Sequence, residues 1–319
     1  MFETTGRLQS QTGSNLAYHH QPASTEAIGI LIICHGLAEH SRRYKPFAEA
    51  MAAAGFHVYA HDHRGHGETV ADGAPLGRFA WRDGTSAVVR DAKAMRDLAA
   101  TAHPGLPVVL FGHSMGGLIA LNTVEDFPGS FDALAIWNSN LNPGLAGRAA
   151  QLVLKTERAL KGSDVPSTLL PKLTFAAWNK AVGEGRTDFD WLSRDHAAVD
   201  AYVADPLCGF DASVSMWLDI FELTFRATAN DRLLKLPQSL PVHLVGGGCD
   251  PATNNAQAIK WLSRQMQSLG MTNVTCNIDR DMRHETLNEI GAANAIAEFA
   301  GWATGALPKP SSRPAPDWE

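Results

Sequence analysis

The apolar positions of this chain fall into two alternating patterns. Short continuous apolar runs, typical of parallel strands that are covered on both faces, lie at 28–34, 56–60, 107–111, 131–137, 240–246 and 273–278. Stretches with helical spacing follow them at 46–54, 85–102, 115–124, 254–269 and 292–302. This order predicts an α/β fold with a mostly parallel central sheet flanked by helices, preceded by an N-terminal hairpin within residues 1–20.

The alternation stops in the middle of the chain and later resumes. Between about residues 141 and 236 the pattern is helical, with no convincing strand. We therefore predict an α/β core in two parts, 1–140 and 237–306, interrupted by a helical cap at 141–236 and followed by a disordered Pro-rich tail at 307–319. Much of the aromatic content of the insertion comes from Trp178, Trp191, Trp217, Phe221 and Phe225. These side chains form either the core of small helices or the lining of an apolar tunnel for an acyl chain.

The segment around Ser114 joins a predicted strand to a predicted helix. Gly112-His113-Ser114-Met115-Gly116 fits the pattern G-x-S-x-G, in which a sharp strand-to-helix turn holds the serine in a strained backbone conformation. Side chains two positions before and after the serine would clash, so both must be Gly. The pattern also occurs by chance in Gly-rich loops, but the flanking strand and helix favour a nucleophile elbow with Ser114 as the nucleophile.

An acid and a histidine follow two later strands. In an open parallel sheet, ligands bind beyond the carboxyl ends of the strands. Ser114, Asp250 and His284 each follow one predicted strand, and this chain order is the one expected for a hydrolase of such architecture. We predict that His284 takes the proton of Ser114 and that Asp250 orients the imidazole.

Other candidates for these roles are less well placed. The chain has 13 histidines, but His284 lies in a polar loop between the last strand and the last helix, where it can reach over the elbow. His19, His20, His40 and His103 have no comparable position. Asp279 and Asp281 are rivals of Asp250, but they flank His284 too closely to reach its far nitrogen easily.

An oxyanion needs two N–H donors in this chemistry. One is expected from Met115, directly after the nucleophile, at the N-terminus of the following helix. The other is expected from Leu37, where the preceding Gly36 lets the backbone approach a substrate carbonyl.

Composition and charge exclude several classes of function. The net charge of −6 is spread along the chain and no basic stripe is present, so a nucleic-acid partner is not expected. The four cysteines lie far apart without metal-binding spacing, which predicts free thiols in a reducing compartment. No secretory signal and no membrane-length apolar run are found, so we expect a cytoplasmic protein.

The segment His61–His66 allows a second interpretation. H-x-H-x-D-H is a signature of two-metal hydrolases, but here Gly65 stands where the second acid should be. The simpler interpretation is a loop in which Asp62 and Arg64 brace their neighbours. We therefore expect neither a metal nor a cofactor.

Taken in order, four motifs resemble the monoacylglycerol lipase and lysophospholipase group of α/β-hydrolases, the serine aminopeptidase S33-like branch. They are His35–His40, Asp62–Gly67, Gly112–Gly117 and Arg283–Glu289, and Ser193-Arg194-Asp195 with Asp205–Cys208 matches the cap region of that group. The resemblance covers about residues 5–303. It implies Ser114, Asp250 and His284 as a catalytic triad, Leu37 and Met115 as oxyanion donors, and a mobile cap over an acyl pocket.

The chain departs from the family pattern at two places. Cys249 precedes the acid and Pro251 follows it, which is unusual. Trp137-Asn138-Ser139-Asn140 replaces smaller residues after its strand, so we expect a reshaped pocket floor.

The resulting prediction is a serine carboxylester hydrolase that acts through an acyl-enzyme on monoacyl lipids or similar hydrophobic esters. Peptidase, lactonase and carbon–carbon hydrolase activities share the same triad and stay open, as does a non-catalytic ligand-binding module. The predicted partners are a small hydrophobic ester and, transiently, a membrane surface or micelle at the cap. The sequence leaves the oligomeric state, the acyl-chain length and the role of Cys249 open.

Overall fold

A mixed sheet, mostly parallel, forms the centre of the molecule. The computed structural model describes residues 2–308. The nine strands of these residues are β1 (Thr5–Gln9), β2 (Ser14–Gln21), β3 (Gly29–Cys34), β4 (Phe56–His61), β5 (Val70–Ala71), β6 (Val108–His113), β7 (Ala133–Trp137), β8 (Val242–Gly247) and β9 (Val274–Asp279). Their order is β1-β2-β4-β3-β6-β7-β8-β9, with β5 paired to β2. The strands β4, β3 and β6 to β9 are parallel, whereas β1, β2 and β5 pair antiparallel.

Helices cover both faces of this sheet and fill the insertion between β7 and β8. The helices of the core are α1 (Lys45–Ala53), α2 (Gly84–Ala102), α3 (Met115–Asp126), α10 (Gln257–Ser268) and α11 (Ala292–Ala306). Those of the insertion are α4 (Gly144–Lys161), α5 (Leu170–Leu173), α6 (Phe175–Val182), α7 (His196–Ala204), α8 (Val214–Ala227) and α9 (Asn230–Leu233). Short 3₁₀ turns lie at Ser41–Tyr44, Pro251–Thr253 and Thr286–Asn288.

The continuous apolar strands bury both of their faces. On β3, Ile30 and Ile32 contact the layer of α2, α3 and α10, while Leu31 and Ile33 contact the layer of α1 and α11. This happens because successive side chains of a strand point to opposite sides. The predicted fold class is therefore confirmed.

The structure differs from the predicted elements mainly at their ends. The two-residue strand β5 was not predicted, because Val70 and Ala71 form no apolar run. The last helix extends to Ala306 rather than to residue 302. From residue 309 onward, the predicted Pro-rich tail lies outside the described residues. Within residues 2–308, no helix combines the length and the apolar character that spanning a bilayer requires.

The insertion is attached to the core through α8. This helix packs against α2, α3 and α4, and Asn122 of α3 donates from Nδ2 to the carbonyl of Leu223 at 2.9 Å. The second half of α8 therefore has a fixed position relative to the helix that follows Ser114.

A buried histidine in β8 makes the stability of the fold dependent on pH. His243 is 1% exposed and lies among the rings of Trp137, Phe299 and Trp302. Its Nδ1 accepts from Nε1 of Trp137 at 3.2 Å, whereas its Nε2 has no partner within the described residues. Burial lowers the pKa of His243 to about 4.

The native state therefore favours neutral His243, whereas the unfolded chain protonates it below pH about 6.5. Between these pKa values, the free energy of unfolding should fall as pH falls, by about 1.4 kcal/mol per pH unit for this one proton. His243→Gln should flatten the dependence of unfolding free energy on pH, measured by urea titration from pH 7 to 4.5. The matched control, His196→Gln, changes an exposed side chain and should keep the slope of the parent chain; equal slopes in all three proteins would contradict the assignment.

Candidate active site

Ser114 occupies the sharp turn between β6 and α3. Its backbone has φ 53° and ψ −120°, a conformation that a non-glycine residue adopts only under strain. The N–H of Ser114 donates to the carbonyl of Trp137 at 2.9 Å, and its own carbonyl accepts from Oγ of Ser139 at 2.7 Å. Contacts to the end of β7 and to the segment after it thus hold the strained residue in place.

The two glycines of the turn are required by close approach of backbone atoms. A methyl group on Gly112 would overlap the carbonyl oxygen of Gly116. A methyl group on Gly116 would overlap the carbonyl oxygen of Cys34 on β3. The first turn of α3 therefore lies directly on the strand ends, and this contact sets the height of Ser114 above the sheet.

A chain of hydrogen bonds joins Ser114, His284 and Asp250. Nε2 of His284 lies 2.9 Å from Oγ of Ser114, and its Nδ1 lies 3.0 Å from Oδ2 of Asp250. The three residues follow β6, β9 and β8 respectively, so the structure brings together the set that the sequence predicted. Their rivals lie elsewhere: Asp279 is the last residue of β9 and Asp281 is exposed.

Asp250 is fully buried and is held by several donors. Its Oδ2 also accepts from Thr253 at 2.9 Å and from Nδ2 of Asn138 at 3.3 Å, and its Oδ1 accepts from the N–H of Ala252 at 2.9 Å. Burial raises the pKa of Asp250, but the neighbouring imidazole and these hydrogen bonds outweigh burial and lower the pKa below its usual value. The carboxylate is therefore ionised at neutral pH and can accept a hydrogen bond from the N–H at Nδ1 of His284.

The loop after β3 lies beside Ser114. A methyl group on Gly36 would lie 3.4 Å from Cβ of Ser114, and Leu37 and Met115 both line the cavity next to the serine. The N–H of Gly36 donates to Oε1 of Glu39 at 2.6 Å. From the insertion, the hydroxyl of Tyr202 and the N–H of Gly209 donate to the carbonyl of Ala38 at 2.8 and 2.9 Å. These bonds fix the backbone next to the predicted oxyanion donor Leu37.

A buried charged network supports both this loop and His284. Arg43 donates to Glu39 at 2.6 Å and to both oxygens of Glu285 at 2.6 and 2.7 Å. His113 faces only acceptors, since its Nδ1 lies 3.4 Å from Glu39 and its Nε2 lies 3.0 Å from the carbonyl of His284. Burial lowers the pKa of His113, but the hydrogen bond and charge of Glu39 outweigh burial, so the pKa is raised. A protonated His113 can donate to both acceptors.

Several residues around the site have no role that the sequence predicts. Glu39 and His113 belong to the motifs His35–His40 and Gly112–Gly117, so the sequence singles out their positions but not their contacts. Asn138 lies in the segment identified as a departure from the family. The contacts of Thr253 and Arg43 depend on tertiary structure, and no sequence signal identifies them.

An apolar cavity of about 800 Å³ opens at Ser114. Its walls come from the loop after β3 and from the insertion, where Trp178, Trp191, Trp217 and Phe221 line it. The aromatic residues of the insertion are thus both core of its helices and cavity lining. Phe225 differs, because it stacks on Phe221 and lies under the guanidinium of Arg148 at 3.6 Å.

The expectation that residues 137–140 reshape the floor of this cavity is wrong for all but Asn140, which lines it. Trp137 packs on the opposite face of the sheet against Phe111 and Phe299. Asn138 and Ser139 instead bond to Asp250 and to the carbonyl of Ser114.

Residues 61–66 make the contacts of a bracing loop. Asp62 accepts from the N–H and hydroxyl of Ser41 at 2.8 and 2.6 Å, and Arg64 donates to Asp91 at 2.8 Å. In the described part of the chain, this segment contributes to no group of three converging metal-ligand atoms. Cys249 is exposed and its thiol donates to the carbonyl of Arg280 at 3.4 Å.

Similarity to known proteins places the chain in a family. The chain is 33% identical to a monoacylglycerol lipase of Mycolicibacterium smegmatis over 195 residues, which cover 61% of each chain. It is 33% identical to a human monoglyceride lipase over 180 residues, which cover 56% of this chain and 52% of the human protein. The aligned part thus spans less than two thirds of each relative.

A carboxyl esterase from Bacillus coagulans has the same fold, with a TM-score of 0.86, 22% identity, and coverage of 95% of this chain and 98% of the esterase. The model of the serine aminopeptidase S33 family matches residues 25–291. This match confirms the resemblance predicted from the four motifs. Because it spans most of the sequence, including Ser114, Asp250 and His284, the chain belongs to the serine aminopeptidase S33 family.

Proposed function

We propose that the protein is a serine carboxylester hydrolase that cleaves monoacyl lipids or similar hydrophobic esters. The observation that carries this proposal is the hydrogen-bond chain Ser114–His284–Asp250, of which Ser114 and His284 line an apolar cavity. The names of the two relatives, a monoacylglycerol lipase and a monoglyceride lipase, support the same class of substrate.

In the proposed mechanism, Oγ of Ser114 attacks the ester carbonyl while Nε2 of His284 takes the hydroxyl proton. Asp250 keeps the other proton of His284 on Nδ1 and stabilises the imidazolium. The N–H groups of Leu37 and Met115 donate to the oxyanion. His284 then protonates the departing alcohol, and water, activated by the same imidazole, releases the acid from Ser114.

We propose further that the insertion 141–236 acts as a cap that provides the acyl site. Its aromatic residues bury the hydrocarbon, and each methylene that leaves water contributes about 0.8 kcal/mol. Longer acyl chains should therefore be cleaved with higher kcat/KM until the cavity is full.

The first prediction from this proposed function concerns the nucleophile. The parent chain should release a burst of p-nitrophenol equal to the enzyme concentration from p-nitrophenyl esters, with kcat/KM rising about fourfold per added methylene at most. Ser114→Ala should abolish the burst and lower kcat by about 10⁶-fold, the scale known for nucleophile removal in a serine hydrolase. Stopped-flow absorbance measures both quantities. Ser268→Ala, on the exposed face of α10, is the matched control.

The substrates tested beside the p-nitrophenyl esters should include a 1-monoacylglycerol, lysophosphatidylcholine, a lactone and a peptide anilide. Cleavage of the monoacyl lipids above the others supports the proposed substrate class. Ester turnover that persists in Ser114→Ala overturns the mechanism, and tight ligand binding without turnover in the parent chain indicates a binding module.

The second prediction concerns the acid. Asp250→Asn removes the acceptor that orients His284, so kcat should fall by about 10⁴-fold. Asp281→Asn changes an exposed rival close to His284 and should leave kcat at the parent value. Steady-state kinetics with one short-chain ester compares the variants, and near-normal turnover of Asp250→Asn would show that a different acid acts.

The cap offers an apolar surface for contact with lipid. On α4, Leu145, Leu152 and Leu160 are 89%, 67% and 80% exposed, and the helical repeat places them on one face. Arg148 and Lys155, both exposed, lie beside this face. An exposed leucine stripe flanked by cations fits a lipid surface with anionic headgroups. We propose that this surface contacts membranes or micelles transiently.

The third prediction tests that contact. Leu152→Ser combined with Leu160→Ser should lower the fraction of protein that sediments with vesicles of phosphatidylcholine and phosphatidylglycerol, while turnover of a soluble short-chain ester stays at the parent value. Val70→Ser, at an equally exposed position on β5, is the control. If the parent chain does not bind these vesicles, or the double variant binds them equally well, the surface has another role.

A further inference from the structure

Three histidines form a cluster outside the candidate active site, where β2 meets β4. His20 of β2 lies directly opposite Tyr59 of β4. His57 lies two residues before Tyr59 and therefore on the same face of the strand. His103 caps the C-terminus of α2 above this face. One ring nitrogen of each histidine lies within 4.8 Å of those of the other two.

The ring nitrogens of the three histidines can supply lone pairs to a cation, and no negatively charged side chain belongs to the cluster within residues 2–308. Nε2 of His20 is shielded from solvent and has no hydrogen-bond partner among these residues. Each of the three side chains is nevertheless half-buried rather than enclosed, so an ion in solution can reach the cluster.

The three imidazoles are neutral at neutral pH. Burial, together with repulsion by His103 and His57, lowers the pKa of His20 to about 4. Burial also lowers the pKa of His57 and, with repulsion by His57, that of His103. Once one ring is protonated, a second proton on the cluster would be repelled by the first. A metal ion differs because one cation is shared by several neutral imidazole nitrogens, the form in which histidine is a ligand.

We propose that His20, His57 and His103 bind a divalent transition-metal ion. Imidazole ligands suit Zn²⁺, Ni²⁺ and Cu²⁺, and three protein ligands leave a fourth position for water. The carbonyl end of α2, at His103, carries partial negative charge that favours a cation.

Tyr59 is the outer partner that such a site needs. Its hydroxyl lies 2.8 Å from Nε2 of His103. With the ion on Nδ1 of His103, Nε2 carries the proton and donates it to the phenol oxygen. Partners of this kind fix the ring orientation of a metal-bound histidine.

Binding requires one side-chain rotation. The rings of His57 and His103 stack at 3.6 Å with 13° between their planes, and two parallel rings cannot both direct a lone pair at one ion. Of these two rings, His57 has the longer hydrogen bond. Its Nδ1 accepts from the N–H of Ala23 at 3.3 Å, whereas Nε2 of His103 lies 2.8 Å from the hydroxyl of Tyr59. Coordination requires that the His57 ring turn and that the three nitrogens, which lie within 4.8 Å of one another, approach the spacing of about 3.4 Å set by tetrahedral bonds of about 2.0–2.1 Å.

The test is direct metal titration of the full chain, without a polyhistidine tag and after treatment with a chelator. Calorimetry with Zn²⁺ and Ni²⁺ should show one saturable site, and Co²⁺ should give the visible absorption of a tetrahedral complex. His57→Gln and His103→Gln should each weaken binding by more than about tenfold and remove the Co²⁺ spectrum, and Tyr59→Phe should weaken it by about 10–100-fold.

The control is His196→Gln, which removes an exposed histidine beside Glu184 and should bind as the parent chain does. Failure of the parent chain to bind any of the three ions at millimolar concentration would overturn the proposal without reference to a variant. Equal affinity of the parent, His57→Gln and His103→Gln, with circular dichroism showing that all are folded, would also overturn it. Because the readout is metal binding, the result is independent of ester hydrolysis.

Discussion

The contact between the first turn of α3 and the carboxyl ends of β3 and β6 is the constraint on which the candidate site depends. It exists because Gly112 and Gly116 have no side chain at positions where a methyl group would overlap a carbonyl oxygen. The residue between them is forced to a positive φ, and its hydroxyl is carried above the sheet edge. His284 and Asp250 can form the hydrogen-bond chain only because that oxygen is held within reach of the imidazole.

Much of the fold and of the site could be predicted because both depend on local patterns. The strands β3 and β6 are continuous apolar runs, and Ser114 lies in a motif whose glycines have a steric cause. Asp250 and His284 could be selected because the carboxyl ends of parallel strands meet at one edge. The structure brings these residues within hydrogen-bond distance of one another, and their catalytic roles stay predictions.

Other features depend on long-range contacts that no local pattern encodes. The sequence places Trp137 next to Asn138, but only the pairing of β7 shows that Trp137 faces α11 while Asn138 reaches Asp250. The grouping of His20, His57 and His103 depends on the register of β2 with β4 and on where α2 ends. The members of such a cluster are far apart in the sequence, so the sequence shows that each is a histidine but does not show that they lie together.

The inserted helices are joined to the core at unequal strength along their length. The segment from Asp190 to Gly209 bonds to the loops on both sides of the serine, through Tyr202 and Gly209 to Ala38 and through the carbonyls of Asp190 and Leu192 to Arg283 and Glu285. By contrast, α4 exposes most of its surface. Exchanging α4 and α5 with those of a homologue should therefore change the wall of the cavity and keep these hydrogen bonds. A junction placed inside 190–209 would instead separate the candidate site from its supports.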